Sequence, residues 1–319
     1  MLEHGTRARD GGSGRDTGVV RLFVGLTDRG WLDGVRTLGA REVNLWRPHR
    51  RRFRALERGE PYLFRLHAPW SAVAGGGRFV EEHLLPLSLA WLAFGAANGV
   101  SDPHAFGRRF ERTHPGSGAD DPVLSCVILS DPFFIEQADW IRGPDDWHPG
   151  VAHGKLYVAD EVPELRGLVG ERLGVEHHAA GTGSAAGTGS AATAGRTSCD
   201  EQLGPARWRL RVVEAYSRRC AMTGGRQIAS LDVTHIRPPS QGGPQSVDNA
   251  LCLRADLSRL FQHGLLTVDP ERLLVRLSSH LRETSGELDG RTLAVLPERF
   301  DQVPSREALD YHASHVFRG

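Results

Sequence analysis

Cys220-Ala221-Met222-Thr223-Gly224, Leu231-Asp232-Val233-Thr234-His235-Ile236-Arg237-Pro238, Gly242-Gly243 and Asp248-Asn249-Ala250-Leu251-Cys252-Leu253-Arg254-Ala255-Asp256-Leu257-Ser258-Arg259-Leu260-Phe261 together decide how the C-terminal part of this chain is read. Apolar and β-branched residues predict a strand from Ile228 to His235. A Pro/Gly loop follows over Arg237–Pro244. A short strand, Ala250–Leu253, leads into a helix near Ala255–Gln262, which Gly264 closes. The order is strand, loop, strand, helix. Strand alternation puts Asp232 and Thr234 on one face. Upstream, Ala206–Arg218 reads as a helix with Trp208, Val212 and Ala215 on a single apolar face. Downstream, Leu265–Val268 and Leu273–Leu277 read as a hairpin, and Arg306–Phe317 as a closing helix.

This pattern resembles the HNH endonuclease family, in the branch with a single Cys before the first strand and a His-Ile-x-Pro signature. The resemblance implies a ββα-metal fold and metal-assisted hydrolysis of a phosphodiester. That reaction needs a base to activate water, a divalent cation to stabilise charge on the phosphate and leaving oxygen, and a scaffold to aim them. A neutral imidazole can take a proton from water near pH 7, and the resemblance makes His235 that base. It gives Asn249 the task of positioning the base or the loop through its amide. The implied cation is Mg²⁺ or Mn²⁺.

The ligand set departs from the family. Many relatives place Asp or His just before the first His; here that residue is Thr234, and Asp232 supplies the acid two positions earlier, as this branch often does. The family's last His, on the helix, is Ser258, a poor ligand beside a carboxylate or imidazole. His263 lies about 140° round the helix from Ser258 and Gln262 shares its face as a neutral oxygen donor. Asp256 matches the branch pattern but points about 160° away, which reads as a cap or supporting role. His312, in Asp310-Tyr311-His312, matches a Trp-His pair near the end of related chains and is a further supporting candidate. Two readings stay open: an enzyme that tolerates Ser258, and a decayed module that binds nucleic acid without cutting.

The chain has 319 residues, enough for two domains. Residues 178–203 are small, polar and repetitive (Ala-Gly-Thr-Gly-Ser-Ala-Ala and onward), too poor in apolar surface to offset chain entropy. They are read as a flexible linker, 177–204, between folded parts at 18–176 and 205–319. A polar, Gly-rich start over 1–17 is read as a disordered tail. No apolar run reaches the roughly 18 residues of a membrane span, so the expectation is a cytoplasmic protein with no membrane partner. Cysteines stand at 126, 199, 220 and 252 with no CxxC pair, which argues against a zinc ribbon; Cys126 and Cys252 read as buried apolar residues. Net charge is zero and Lys155 is the only lysine, so any phosphate contact falls to arginine, whose planar fork binds phosphate in a bidentate way.

In the first part, strands are expected at Val19–Thr27, Tyr62–His67, Val73–Val80, Ser125–Leu129 and Lys155–Val158, with helices at Trp31–Thr37 and Leu87–Ala97. Strands outnumber helices without regular alternation, which predicts an α+β fold around a curved mixed sheet. Glu42–Pro48, Gly59–Pro69, Gly75-Gly76-Gly77 and Ser88–Gly99 resemble a PUA-like domain fused to HNH nucleases in bacterial restriction enzymes, a fold group that includes readers of modified bases. A reader of a flipped base needs an aromatic wall and polar groups for the base edge. Trp46, Trp70, Trp91, Phe94 and Asn98 are candidates, with Ser71 where relatives carry Asn; Trp91 and Phe94, at i and i+3 on a helix, read equally as core. Trp46 with Arg47, Arg50, Arg51, Arg52 and Arg54 reads as a surface that could sit on phosphates, and Arg237 beside the base joins them. The partner implied is DNA, with RNA as a third class. The resemblance implies a restriction-type, modification-dependent endonuclease; a single site cuts one strand, so a double-strand break needs a homodimer or two engagements.

Overall fold

The computed structural model describes residues 20–48, 52–116, 120–148, 150–175 and 204–319. The 1–17 tail, the linker up to 203, Arg50, Arg51 and Cys199 lie outside the described residues. The fold class is α+β. Strand β1 (Arg21–Thr27) leads to helix α1 (Arg29–Arg36), which the Asp28 carboxylate caps by accepting from the Trp31 N–H at 3.0 Å. There follow β2 (Glu42–Arg47), β3 (Pro61–Leu66), the long β4 (Ala72–Pro86), α2 (Leu87–Phe94), α3 (Pro103–Thr113), β5 (Val123–Phe134), β6 (Ile141–Arg142), β7 (Gly154–Val158) and α4 (Pro163–Leu173). One mixed sheet runs β2-β5-β4-β3-β1-β7, with β6 on β4; β1 and β3 are parallel and the other pairs antiparallel.

Four elements here escaped the sequence reading: β2, α3, the two-residue β6 and α4. The signal for α3 was present, since Asp102 before Pro103 is an N-cap followed by proline at the first helical position, and Asp102 accepts from the Ala105 N–H at 2.7 Å. The helix expected over Leu87–Ala97 stops at Phe94 and continues as a 3-10 turn, Gly95–Asn98, ending at the left-handed Gly99.

The second part opens with α5 (Pro205–Ala215), then β8 (Leu231–His235), β9 (Ala250–Arg254), α6 (Ala255–Gln262), the hairpin β10 (Leu266–Val268) and β11 (Val275–Leu277), α7 (Ser279–Ser285) and α8 (Arg306–Tyr311). Strands β8 and β9 pair antiparallel from Leu231↔Arg254 to His235↔Ala250. This is the strand, loop, strand, helix order expected. The strand begins three residues later than read, because Ile228–Ser230 form a 3-10 turn. Cys126, Cys220 and Cys252 are buried free thiols. Among the described residues, no helix is long and apolar enough to cross a membrane.

The two parts share one hydrophobic core. Leu85, Leu89 and Phe94 from the sheet side belong to the same buried cluster as Trp208, Val212 and Val213 of α5. At the joint, Arg207 Nε donates to Glu42 Oε1 at 2.6 Å and the Ala206 N–H to Glu42 Oε2 at 3.1 Å. The two side chains are only 8% and 2% exposed. The Glu42 carboxylate also lies at the start of α5, where the unpaired N–H groups favour an anion.

The chain end is fastened by His312, which is 2% exposed. Its ring stacks on Phe261 with centroids 3.6 Å apart. Nε2 donates to the Phe261 carbonyl at 3.0 Å, which leaves Nδ1 to accept from the Thr267 hydroxyl at 2.8 Å. Burial pulls this imidazole down to about 4, against the pull of the Phe261 carbonyl. An ordinary histidine titrates near 6.5, so the unfolded chain takes up this proton first. Stability from this group is therefore complete above about pH 6.5 and is lost as the pH falls towards 4. Between pH 7 and 4.5 the loss should be about 2 kcal/mol. Urea unfolding at the two pH values checks it: His312→Gln should lose less on acidification than the parent, by about that amount.

Candidate functional site

His235 ends β8, where the strand gives way to the Pro/Gly loop. Its ring lies flat on Trp208 of α5, centroids 4.0 Å apart and planes 15° from parallel. Nε2 is buried with no hydrogen-bond partner among the described residues. Burial, helped by the charge of Arg209, lowers the His235 pKa below the ordinary histidine value, which keeps the ring neutral near pH 7. A neutral ring can accept a proton.

Asn249 holds the loop after His235 rather than the ring itself. Its Oδ1 accepts from the Arg237 N–H at 2.9 Å, and Nδ2 donates to the carbonyls of Arg237 at 3.0 Å and Pro244 at 2.8 Å. The side chain is 1% exposed, so these bonds are made away from water. Gly243 lets the turn close: a Cβ there would stand 1.9 Å from the Arg237 carbonyl oxygen.

The predicted metal ligands, with Thr234, gather on the other face of β8. Asp232 Oδ2 accepts from the Ser258 hydroxyl at 2.9 Å, while Oδ1 takes the Val233 N–H at 2.8 Å. Gln262 Nε2 donates to Thr234 Oγ1 at 3.1 Å and to Ser258 Oγ at 3.2 Å. Asp232, Thr234, Ser258 and Gln262 thus form one polar cluster between β8 and α6, as the alternation predicts. The same alternation sends His235 towards α5. A cavity of about 490 Å³ reaches Asp232 and is lined also by Trp91, Phe94 and Arg209. Arg209 therefore adjoins both the cavity and His235, and sequence reasoning missed it, as it missed the stacking of Trp208. Their helix was legible, but nothing local says that it covers a histidine some twenty-seven residues on.

Two supporting candidates stand elsewhere. Asp256 is clamped by Arg254, Nε to Oδ1 at 2.7 Å and Nη2 to Oδ2 at 2.6 Å, on the surface. His312 serves the core described above, so its fold-back to the site is not seen. His263 is exposed at the end of α6.

The donors available to a divalent cation are one carboxylate, Asp232, and the neutral oxygens of Thr234, Ser258 and Gln262. Among the described residues, no group of three His, Cys, Asp or Glu converges. A hard, oxygen-only set with one charge fits a Mg²⁺ or Mn²⁺ ion that keeps its own waters and shares a substrate phosphate. It does not fit an ion held by the protein alone.

The residues expected to touch nucleic acid are more deeply tied in than their sequence implied. Trp46 is half-buried: its Nε1 donates to the Asn98 carbonyl at 3.0 Å and its ring meets Phe106 edge-on. Arg47 donates to the Tyr62 hydroxyl at 2.6 Å and the His153 carbonyl at 3.1 Å. Arg52 is exposed. Arg237 donates to the Gln241 carbonyl at 2.8 Å, pairs with Glu307 at 3.5 Å and lies over the Tyr311 ring. Asn98 is fully buried; it bonds Asn44 and the carbonyls of Ala90 and Gly95, so both its N–H groups are engaged and the amide is closed off from a base. Trp70 and Ser71 do come together, at the rim of a separate cavity of about 370 Å³ on the sheet domain.

Residues 220–269 match the model of a family described as HNH endonuclease. That span holds β8, the loop, β9 and α6, so the strand, loop, strand, helix unit is the one the family model recognises. No curated protein matches the chain significantly. Similar solved structures include ASCH from Zymomonas mobilis, at 13% identity over 46% of this chain and 94% of that one with a TM-score of 0.32. A mutant form of the same protein gives 13% identity over 46% and 97%, with a TM-score of 0.31.

Proposed function

We propose that this protein is a DNA endonuclease that hydrolyses phosphodiesters with a divalent cation, of the restriction type, its sheet domain selecting the DNA as a PUA-like reader of base modification. The observation that carries the reading is His235: a neutral imidazole at the end of β8, inside the span that matches the HNH model. In this reading His235 takes the proton of the attacking water. Trp208 fixes the plane of its ring, and Asn249 holds the loop that follows it. Arg209, beside both His235 and the cavity, receives a phosphate oxygen. Asp232, with Thr234, Ser258 and Gln262 around it, would hold Mg²⁺ or Mn²⁺, which supplies charge stabilisation at the phosphate when bound. Each engagement cuts one strand.

A second reading, a module that binds nucleic acid without cutting, is favoured by the hydrogen bond that ties Ser258 to Asp232 and by the placing of His235 on the opposite face of β8. The test is nicking of supercoiled plasmid, unmodified and carrying 5-methylcytosine, with Mg²⁺ or Mn²⁺. Metal-dependent nicking by the parent supports the enzyme, and a difference between the two plasmids supports the selective sheet domain. A parent that never nicks, beside a Ser258→His variant that does, establishes the second reading.

A further inference from the structure

The cavity at the rim of the sheet domain is lined by Arg65, Trp70, Ser71, Arg142, Asp145 and Trp147, with Gly143 and Pro144 between them. Arg65 is the anomaly. It lies on β3, a strand buried along its whole length, and is only 9% exposed. Its guanidinium is stacked on the Trp147 ring at 4.3 Å, and its Nε is buried with no hydrogen-bond partner among the described residues. Among the described residues it forms no ion pair. A cation taken out of water without a counter-charge is costly, and such a group asks for a partner from outside the chain. Gly143 lets the backbone pack closely against this side chain, since a Cβ there would stand 2.6 Å from Arg65 Nε, and Arg65 itself lines the cavity.

The rest of the lining narrows what that partner is. Arg142 adds a second, exposed cation at the mouth. Trp70 is 42% exposed, a large flat apolar surface left to solvent, with the Arg29 guanidinium 5.4 Å from its ring. Asp145 contributes a carboxylate that can only accept hydrogen bonds when ionised. An anion satisfies the arginines, a flat ring satisfies the indole, and ring N–H groups satisfy the carboxylate. One ligand class carries all three. At about 370 Å³ the cavity falls within the range of small-molecule sites.

We infer that this cavity binds a single nucleoside monophosphate unit, its base stacked on Trp70 and its phosphate held by Arg65 and Arg142. The inference deepens the proposed selection of DNA by the sheet domain and names the residues that perform it. It replaces Asn98 with Arg65, Arg142 and Trp147 as the polar and aromatic partners of Trp70 and Ser71. Asp145 reads the base edge by accepting from its N–H groups. The unit could arrive free or as one nucleotide of a strand; the chemistry is shared.

Isothermal calorimetry on the full chain tests this with the four deoxynucleoside 5′-monophosphates, the matching nucleosides, inorganic phosphate and a single-stranded oligonucleotide. At least one monophosphate should bind saturably, about tenfold or more tighter than its nucleoside or phosphate alone. Trp70→Ala should weaken it by about tenfold or more, from lost stacking. Arg142→Gln should remove much of the advantage of monophosphate over nucleoside. Both side chains are at the surface, so circular dichroism should be unchanged. Competition by the oligonucleotide assigns the site to a nucleotide within a strand; monophosphate binding that the oligonucleotide leaves untouched assigns it to the free nucleotide. Absence of saturable binding by the folded parent, or binding equal in parent and both variants, overturns the inference. The titration needs no cutting: a chain that binds but never nicks defeats only the nuclease reading, and one that nicks but never binds defeats only the pocket.

Discussion

His235→Ala should nick supercoiled plasmid about 10²- to 10⁴-fold more slowly than the parent, the range that a positioned general base contributes. The effect belongs in the rate at saturating DNA, because in the proposed reaction the ring moves a proton and does not bind the duplex. The ring also packs on Trp208, so the variant's unfolding must be followed beside its rate. A Trp208→Phe variant separates the two roles. It keeps an aromatic floor, so the rate should fall far less than for His235→Ala while the pH profile shifts with the changed environment of the ring. Nicking by His235→Ala at the parental rate, in a protein of parental stability, would remove the histidine from the chemistry.

Glu42→Ala carries the largest expected cost in stability, about 3–5 kcal/mol, because it leaves Arg207 charged and buried without its partner. It also frees the Ala206 N–H at the start of α5. Replacing both members, Glu42→Leu with Arg207→Met, should recover most of the loss, since two apolar side chains of similar bulk need no pairing. Urea unfolding of the three variants measures it through midpoint and slope. A loss below about 1 kcal/mol for Glu42→Ala, the size of a surface pair, would mean that the joint between the sheet and α5 is not closed in solution.

What the sequence disclosed follows the range of the interactions involved. The strand, loop, strand, helix unit was legible because each piece is signalled locally: apolar residues for β8, Pro and Gly for the loop, Gly264 for the end of α6. Strand alternation likewise foretold that Asp232 and Thr234 share one face; that this face meets α6 is what the structure adds. Trp46 was misplaced because the arginines after it imply a wet surface, whereas its indole N–H reaches Asn98, fifty-two residues on. Asn98 was misjudged for the complementary reason, since an amide that closes a helix end looks the same in sequence as one that waits for a ligand. Arg65 was overlooked because a cation in an apolar strand is ordinarily read as its solvent face; only the structure shows it 9% exposed, under the Trp147 ring and lining a cavity. The repetitive stretch after residue 177 announced two parts but could not announce that Glu42 and Arg207 join them.

That joint sets a limit on geometry. Because α5 shares its core with the sheet, His235 and the Trp70 cavity are mounted on one frame. A cutter mounted in this way has a fixed reach: on a strand whose nucleotide is seated in the cavity, breaks would fall at one constant offset from that nucleotide, as marks fall from a gauge, and would not scatter as they do from a blade on a slack tether.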